Sequence, residues 1–590
     1  MKRRLQFLFC MSSFMVLTMA HAAVEPASVQ ESNRNSQLML DVIARFSPED
    51  AQELGVDGYD ERVKDLGSHT VERNIEATQA AVDELRGRLA KTSDLAVQQD
   101  LQIVIDAGAN SVTSMRLQQQ YMLPYTSAVR LVFGGLRALL DPRIPEARQA
   151  AALVRLRRYA GLEAGSSAIT ELAKARSSEC FDDKKLVGPF RGEVEQDIAD
   201  TPQLIEGIRK LFAGSKIKGY EPALEQLASQ LKDYDAWIQR EILPRTRADH
   251  RLPPAIYADN LKQVGVDVLP DELMRRALLS FEEIQNEMRA LAPLVAKQKS
   301  LKVTDYRDVI RALKKKQVQG RAILPLYRQR LHSIEDILRR EHEITVPQRN
   351  AVIRLASEAE SAMLPAPYMS PPRMIGNTGE YGEFVLPLKV PGKAGEKALV
   401  TDDFTFDAAA WTLTSHEARP GHELQFAAMI EKGVTIARAI FAFNSVNVEG
   451  WALYAEAEMK PYFPLDGQLI GLQYRLMRAA RAYLDPMVNL GLLTPRQVHD
   501  VLVNDVVLSE GMTKQEVDRY TYRSPGQATA YFVGYQALME TRRRAELALE
   551  HKFDKQRFHD FVLAQGLLPP ALLQKAVMEV FVPEELKRTN

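Results

Sequence analysis

The sequence predicts a mainly α fold, and three of its features carry that prediction. The chain has 590 residues, 46% of them hydrophobic, which is enough to bury a large core. Apolar residues recur at three- and four-residue spacing along most of the chain, as amphipathic helices require. A single stretch rich in Pro and Gly, residues 365–398, interrupts this periodicity.

Four segments show the helical pattern most clearly. One of them begins with Pro270, Asp271 and Glu272, and a proline followed by acidic residues is typical of a first helical turn. The four predicted helices are residues 70–92, 204–217, 270–298 and 347–364.

The interrupting stretch contains a β-like run from Tyr381 to Val390, a short distance before a His-Glu pair. Two interpretations of this run stay open. It could be an edge strand that binds an extended peptide, with Tyr381 in contact with that peptide. It could equally be a surface hairpin between two helical halves.

The first 22 residues have the pattern of a signal peptide. Three basic residues at positions 2 to 4 precede an apolar run from Leu5 to Met19, which is too short to span a membrane. Ala20, His21 and Ala22 then place small residues where signal peptidase needs them, so we predict cleavage after Ala22. We expect a soluble periplasmic protein, and a stable membrane anchor is the less favoured alternative.

Charge and cysteine content exclude several classes of partner. The chain has 76 basic and 77 acidic residues and a net charge of -1, with no basic stripe for nucleic acid or anionic lipid. Cys180 is the only cysteine outside the predicted signal peptide. An internal disulfide and a thiolate metal site are therefore both excluded.

The stretch "TSHEARPGHELQF", Thr414 to Phe426, resembles a zinc-peptidase helix with two extra residues. Asp407 can cap a helix that carries His416 in its last turn. Pro420 should interrupt that helix, and a second one should end at Gly433. Residues six apart point to different sides of a helix, but a two-residue break would return His422 to the side of His416.

A catalytic zinc site needs a third protein ligand from a neighbouring element. Downstream, "SVNVEGWALYAEAEMK" predicts an amphipathic helix that begins at Glu449, with Glu456 two turns later on the same face. A carboxylate on an apolar helix is costly unless it is paired or binds a metal. The alternative is two surface histidines and a glutamate stabilised by the helix dipole.

Four motifs together resemble the bacterial domain of unknown function 885 family. They are "SPEDAQELGVDGYDERVKDL", "HEARPGHELQ", "EGWALYAE" and "EVDRYTYRSPGQATAYFVG". That family is similar to zinc metallopeptidases whose third ligand is glutamate. The resemblance implies a large helical body with a central channel and a short β element next to the active-site helix.

The resemblance also implies a role for each matching residue. His416, His422 and Glu449 would bind Zn²⁺, and Glu417 would be the catalytic base. Four polar residues would hold a carbonyl oxygen or a peptide terminus, or else form bonds between helices. Of these four, Arg519, Tyr520 and Tyr531 are the catalytic candidates. Gln527 is a substrate-binding candidate, as is Tyr381 of the β-like run.

These roles imply an exported zinc-dependent peptidase that hydrolyses short peptides. Its predicted parts are an N-terminal helical half, residues 23–355, and a catalytic helical half, residues 356–590, together forming one compact body. A zinc hydrolase that cleaves a non-peptide amide is an alternative.

Two departures from the family pattern leave a second alternative open. Glu423 stands where the family usually has a further histidine, and could replace it as a ligand. Asn489 replaces a histidine four residues after Asp485, and an amide cannot carry the charge of an imidazolium. A peptide-binding protein with weakened catalysis would explain both.

Overall fold

The computed structural model describes residues 26–364, 366–387 and 401–588. The predicted signal peptide at residues 1–22 lies outside them, as does the end of the predicted β-like run from residue 388. The described residues form a mainly α protein with one small sheet, which confirms the predicted fold class. No helix in these ranges is long and apolar enough to cross a membrane.

Fourteen α-helices precede the sheet within the described part of the chain. The prediction for residues 270–298 matches α12 at both ends, and residues 70–92 form α3 with a slightly earlier end. These helices are α1 (Ala27–Phe46), α2 (Pro48–Leu54), α3 (Thr70–Leu89), α4 (Leu95–Tyr121), α5 (Ala128–Leu139), α6 (Glu146–Gln149), α7 (Ala151–Tyr159), α8 (Ile169–Ser178), α9 (Arg191–Ala213), α10 (Glu221–Trp237), α11 (Pro254–Gln263), α12 (Pro270–Gln298), α13 (Tyr306–Lys314) and α14 (Ile323–Arg340).

The sheet occupies the region that the sequence marks as irregular, and it corrects two predictions. Its strands are β1 (Val352–Leu355), β2 (Tyr368–Ser370) and β3 (Glu383–Leu386), in the order β1-β3-β2. The helix predicted over residues 347–364 is wrong, since β1 and a short helix replace it. A short apolar run fits strand and helix equally, and here pairing with β3 satisfies its backbone.

The second correction concerns the predicted edge strand. β3, which contains the described part of that run, is the central strand, parallel to β1 and antiparallel to β2. Both of its edges are therefore occupied, so β3 cannot receive a peptide as an edge strand. β2 is the strand with a single neighbour on the side near the His416 segment.

Eleven further α-helices follow β1 in the described residues. They are α15 (Glu358–Met363), α16 (Asp407–Leu413), α17 (His422–Lys432), α18 (Ser445–Met459), α19 (Leu465–Asn489), α20 (Pro495–Asn504), α21 (Glu510–Asp518), α22 (Ala530–Leu549), α23 (Lys555–Ala564), α24 (Pro570–Ala576) and α25 (Val582–Lys587).

The largest hydrophobic cluster joins residues from both sides of the predicted boundary at 355 and 356. It runs from Tyr257 to Val533 and includes α12, α19 and strand β3. A second cluster, from Leu66 to Ile242, belongs to the N-terminal helices alone. The continuous core thus begins well before the predicted boundary, and the β1–β3 pairing crosses it.

Two glycines allow α18 and α22 to pack backbone against backbone. A Cβ atom at Gly450 would lie 2.5 Å from the carbonyl carbon of Gly534, and one at Gly534 would lie 1.9 Å from the carbonyl oxygen of Val446. No side chain fits at either position. The contact holds Glu449 of α18 close to the start of α22, where Tyr531 lies.

Candidate metal centre

The chain between the two histidines leaves the helix, as Pro420 predicts. α16 continues through a π-helical turn, Thr414–Ala418, that carries His416, and the backbone becomes extended at Arg419. A Cβ atom at Gly421 would lie 1.9 Å from the carbonyl oxygen of His416, so only glycine fits this reversal. α17 then begins at His422. Its end at Gly433, in a left-handed conformation, is also as predicted.

The break brings the two imidazole rings together. The ring centroids of His416 and His422 are 4.7 Å apart, and the rings are nearly perpendicular. Both side chains are buried. The N-terminal part of the prediction needs one correction, since Phe406 rather than Asp407 is the N-cap residue of α16 and Asp407 is the first helical residue.

Glu449 approaches both histidines from α18. Its Oε2 atom lies 3.5 Å from Nε2 of His416 and 3.3 Å from Nε2 of His422. The helix itself differs from the prediction, because it begins at Ser445 and is buried on most sides rather than amphipathic. Burial raises the pKa of Glu449, but the two histidines lower it more, and the result lies well below the ordinary value.

These spacings fit a tetrahedral metal ion. Ligand atoms about 2.1 Å from zinc lie about 3.4 Å from one another in that geometry, close to the two distances that Glu449 makes. Its Oε2 atom is buried and has no hydrogen-bond partner among the described residues. The nitrogen and carboxylate donors are also of the type that zinc prefers.

Glu417 lies beside this set and completes a group that we call the metal cluster: His416, Glu417, His422 and Glu449. The candidate ligand atoms of the first three lie within 4.8 Å of one another, and Oε1 of Glu417 is 3.9 Å from Nε2 of His416. Burial, partly offset by the two histidines, raises the pKa of Glu417 above its ordinary value. A raised pKa suits a group that takes up and releases a proton near neutral pH.

Glu456 supports His416 from behind. Its Oε1 atom is 2.7 Å from Nδ1 of His416 and 3.1 Å from Nη2 of Arg478, and Thr412 donates a hydrogen bond of 2.8 Å to Oε2. A carboxylate at this position fixes the orientation of a metal-binding imidazole. The sequence placed Glu456 on the face of Glu449, but it gave no sign of this supporting role.

The metal cluster opens onto a cavity of about 510 Å³ between α9 and the C-terminal helices. His416 and Glu417 lie in one wall, and residues of the N-terminal helices form the wall opposite. Residue Tyr368 of β2, an edge strand of the sheet within the described residues, also lines it.

Two of the predicted catalytic residues line the same cavity. The ring of Tyr531 lies parallel to that of His416, with centroids 6.2 Å apart, and the guanidinium of Arg481 is 4.4 Å from the Tyr531 centroid. Arg519 has a buried Nη1 atom with no hydrogen-bond partner within the described ranges. Both are hydrogen-bond donors close to the metal cluster.

Tyr520 does not reach the cavity. It is fully buried, and its hydroxyl donates a hydrogen bond of 2.8 Å to Glu516, which also forms two hydrogen bonds with Arg481. Its predicted catalytic role is therefore replaced by a structural one. We call Arg481, Glu516 and Tyr520 the arginine cluster.

The two predicted substrate-binding residues also lie away from the cavity lining. Gln527 begins a 3₁₀ turn before α22, and its Oε1 atom is buried without a partner among the described residues. Tyr381 packs under the guanidinium of Arg349, and its carbonyl accepts a hydrogen bond from Arg143. The structure brings neither residue to the metal cluster.

Glu423 and Asn489, the two residues that depart from the family pattern, both form hydrogen bonds within the fold. Glu423 is buried and accepts a hydrogen bond of 2.7 Å from Arg419, so it is directed away from the metal cluster. Asn489 donates to the carbonyl of Tyr520 and to Asp485, whose carboxylate accepts from the backbone N–H of Gly526. Neither substitution removes a group from the cavity lining.

Comparison with known proteins gives the family. Residues 48–577 match the family described as bacterial protein of unknown function (DUF885), and the chain belongs to this family, as its motifs predict. No curated protein matches the chain.

Two solved structures share the fold. One is described as a putative lipoprotein from Colwellia psychrerythraea, with 16% identity over 94% of this chain and 99% of the other and a TM-score of 0.76. The second is described as a putative lipoprotein of unknown function from Shewanella oneidensis, with 17% identity over 94% of this chain and 100% of the other and a TM-score of 0.70.

Proposed function

We propose that this protein is an exported zinc-dependent peptidase that hydrolyses short peptides. The observation that carries the proposal is the spacing within the metal cluster. Nε2 of His416 and Nε2 of His422 both lie within 3.5 Å of Oε2 of Glu449, and Glu417 lies beside them in the wall of a large cavity. Three protein ligands and an open side are typical of a catalytic zinc site.

Each residue of the cluster has a definite task in this proposal. His416, His422 and Glu449 would hold the zinc, and what zinc supplies when bound is Lewis acidity, which acidifies water and polarises a carbonyl. Glu417 accepts a proton from the attacking water and passes it to the leaving amine. Its raised pKa favours the first of these transfers, because a higher pKa makes the carboxylate a stronger base.

In this proposal, donors from α22 and from the turn that follows α21 stabilise the transition state. Peptide hydrolysis places negative charge on the former carbonyl oxygen, and preorganised donors in a buried site stabilise that charge strongly. The Tyr531 hydroxyl and the Arg519 guanidinium are donors in the lining of the same cavity, and the Tyr531 ring lies parallel to that of His416. A cavity of about 510 Å³ enclosed by helices favours short peptides over folded proteins.

The alternative of a peptide-binding protein with weakened catalysis receives less support. It rested on Glu423 and Asn489, and both side chains are occupied by structural hydrogen bonds. All four members of the metal cluster remain in place. Hydrolysis of a non-peptide amide would use the same groups, so a substrate test is needed to separate it from peptide hydrolysis.

The test of this proposal combines metal analysis with a peptide digest. Purified protein should contain about one zinc per chain, and a mixed-peptide digest read by mass spectrometry should show cleavage. Glu417→Gln should keep zinc and fold but lose cleavage by orders of magnitude, because an amide cannot take the proton.

The matched control is Glu431→Gln, which changes an exposed glutamate on α17. This variant should cleave peptides at the wild-type rate. If Glu417→Gln retains most of the activity at saturating zinc, the proposed mechanism fails.

Export is a separate part of the proposal. It is supported by the basic start, the short apolar run and Ala20-His21-Ala22. N-terminal sequencing of the native protein from the periplasmic fraction should begin at Ala23. An intact Met1, or recovery from membranes alone, would contradict it.

A further inference from the structure

The cavity wall opposite the metal cluster contains a carboxylate that no described cation neutralises. Glu193 is the third residue of α9 and lines the same cavity as His416 and Glu417. It is half-buried. Among the described residues, its carboxylate forms no hydrogen bond and no ion pair within 4.0 Å.

Asp197, the next acidic residue on the same face of α9, has hydrogen-bond partners among the described residues, unlike Glu193. Asp197 accepts hydrogen bonds from the Tyr125 hydroxyl at 2.9 Å and from Nε of Arg130 at 2.6 Å. Arg130 is also paired with Asp200; it forms no ion pair with Glu193 and lowers the pKa of Glu193 only from a distance. Carboxylates four residues apart on a helix also repel each other.

Ionised Glu193 is therefore unfavourable in the free protein. Burial and the charge of Asp197 raise the pKa of Glu193 from 4.5 to about 7, although more distant arginines, Arg247 first among them, oppose the rise. The N-terminal end of a helix favours a carboxylate only weakly. A strongly perturbed acidic group in a cavity is typical of a functional site, and a cationic ligand would relieve its cost.

We propose that Glu193 binds the ammonium group of the substrate, and that the site therefore selects short peptides with a free amino group. The amino group can be the α-amine of the peptide or a lysine side chain, since both present the same donors. In either case the ammonium lies at the α9 wall and the scissile carbonyl lies toward Glu417. This inference rests on the proposed peptide substrate.

Binding measurements on the whole mature protein test this inference without cleavage. Isothermal titration calorimetry would compare trialanine with N-acetyl-trialanine on protein that carries Glu417→Gln. Trialanine should bind about tenfold more tightly, because one charge-assisted hydrogen bond is lost on acetylation. Adding Glu193→Gln should remove this difference, whereas Glu195→Gln, on the exposed side of α9, should leave it unchanged.

A third peptide, N-acetyl-Ala-Lys-Ala, separates the two sources of the ammonium group. Tight binding of this peptide that Glu193→Gln abolishes assigns the lysine side chain, and weak binding assigns the α-amine. Equal affinity for all three peptides would overturn the inference. This comparison uses protein in which Glu193 is unchanged, so it can be made even if Glu193→Gln does not fold. If the protein prefers peptides with a free amino group but the wild type cleaves none of them, the peptidase proposal is contradicted and the inference about Glu193 is not.

Discussion

The metal cluster and the arginine cluster each contribute residues to the lining of the same cavity, yet their buried carboxylates have different partners. In the arginine cluster, Glu516 forms two hydrogen bonds with Arg481 and one with Tyr520. In the metal cluster, Oε2 of Glu449 has no hydrogen-bond partner among the described residues. Buried charges are costly unless they are paired. The contrast lies in the partner: a guanidinium neutralises Glu516 within the chain, whereas Glu449 faces two imidazoles.

The largest effect should come from removing a metal ligand. His416→Ala, His422→Ala and Glu449→Ala should each empty the site, because a zinc site with two remaining protein ligands binds weakly. Atomic emission measurements on folded protein would give the metal content.

Glu423→Ala tests which residue after Pro420 and Gly421 binds the metal, His422 or Glu423. It removes one of the two carboxylate partners of Arg419, the other being Glu335, and should therefore lower stability. Folded Glu423→Ala should keep its zinc. Loss of metal in this variant together with full metal in His422→Ala would show that the ligand assignment is wrong.

A substitution in the arginine cluster should change the free energy of unfolding and not the metal content. Glu516→Gln leaves the buried Arg481 without a charged partner, and such a change costs about 3–5 kcal/mol of unfolding free energy. Urea unfolding followed by circular dichroism would measure it, and the zinc content should not change. Glu540→Gln, which alters an exposed pair on α22, should leave the unfolding curve where it is.

Asp485 is a third kind of buried carboxylate, because its partners among the described residues are neutral donors. Burial raises its pKa from 3.8 to about 7, despite hydrogen bonds from Tyr257, Gly526 and Asn489. Between these two pH values the folded state therefore holds a proton that the unfolded state releases. As a result, the free energy of unfolding should fall as the pH rises from about 4 to about 7. The fall is at most about 4 kcal/mol, since one pKa unit corresponds to about 1.4 kcal/mol.

Asp485→Asn should remove that decline. Urea midpoints at pH 5 and pH 7.5 should differ less for this variant than for the wild type. An equal difference in both proteins would mean that Asp485 ionises normally in the folded state.

The smallest predicted effect concerns the support of His416. Glu456→Gln keeps the shape of the side chain but weakens its bond to Nδ1, and loss of such a partner typically lowers metal affinity about 10- to 100-fold. Competition with a chromophoric chelator would measure the zinc dissociation constant. An unchanged constant would show that the orientation of His416 is set by packing alone.

Sequence patterns were sufficient where a local rule decides the structure. Pro420 and Gly421 predicted the interruption between the histidines, and α12 was predicted at both ends from its periodicity. They failed where tertiary pairing decides: residues 352–355 became a strand because β3 lies beside them. Tyr520 and Gln527 are polar residues on an apolar segment, and only the folded chain shows that they do not line the cavity.

The glycine contact between α18 and α22 ties together two motifs that are far apart in the chain. Gly450 follows the candidate ligand Glu449 directly, and Gly534 lies one turn after Tyr531. Because each backbone occupies the place of the other's missing side chain, an enlargement at either position cannot be compensated by shrinking its partner. Evolution is therefore expected to hold both positions fixed as a pair, independently of which substrate a family member takes.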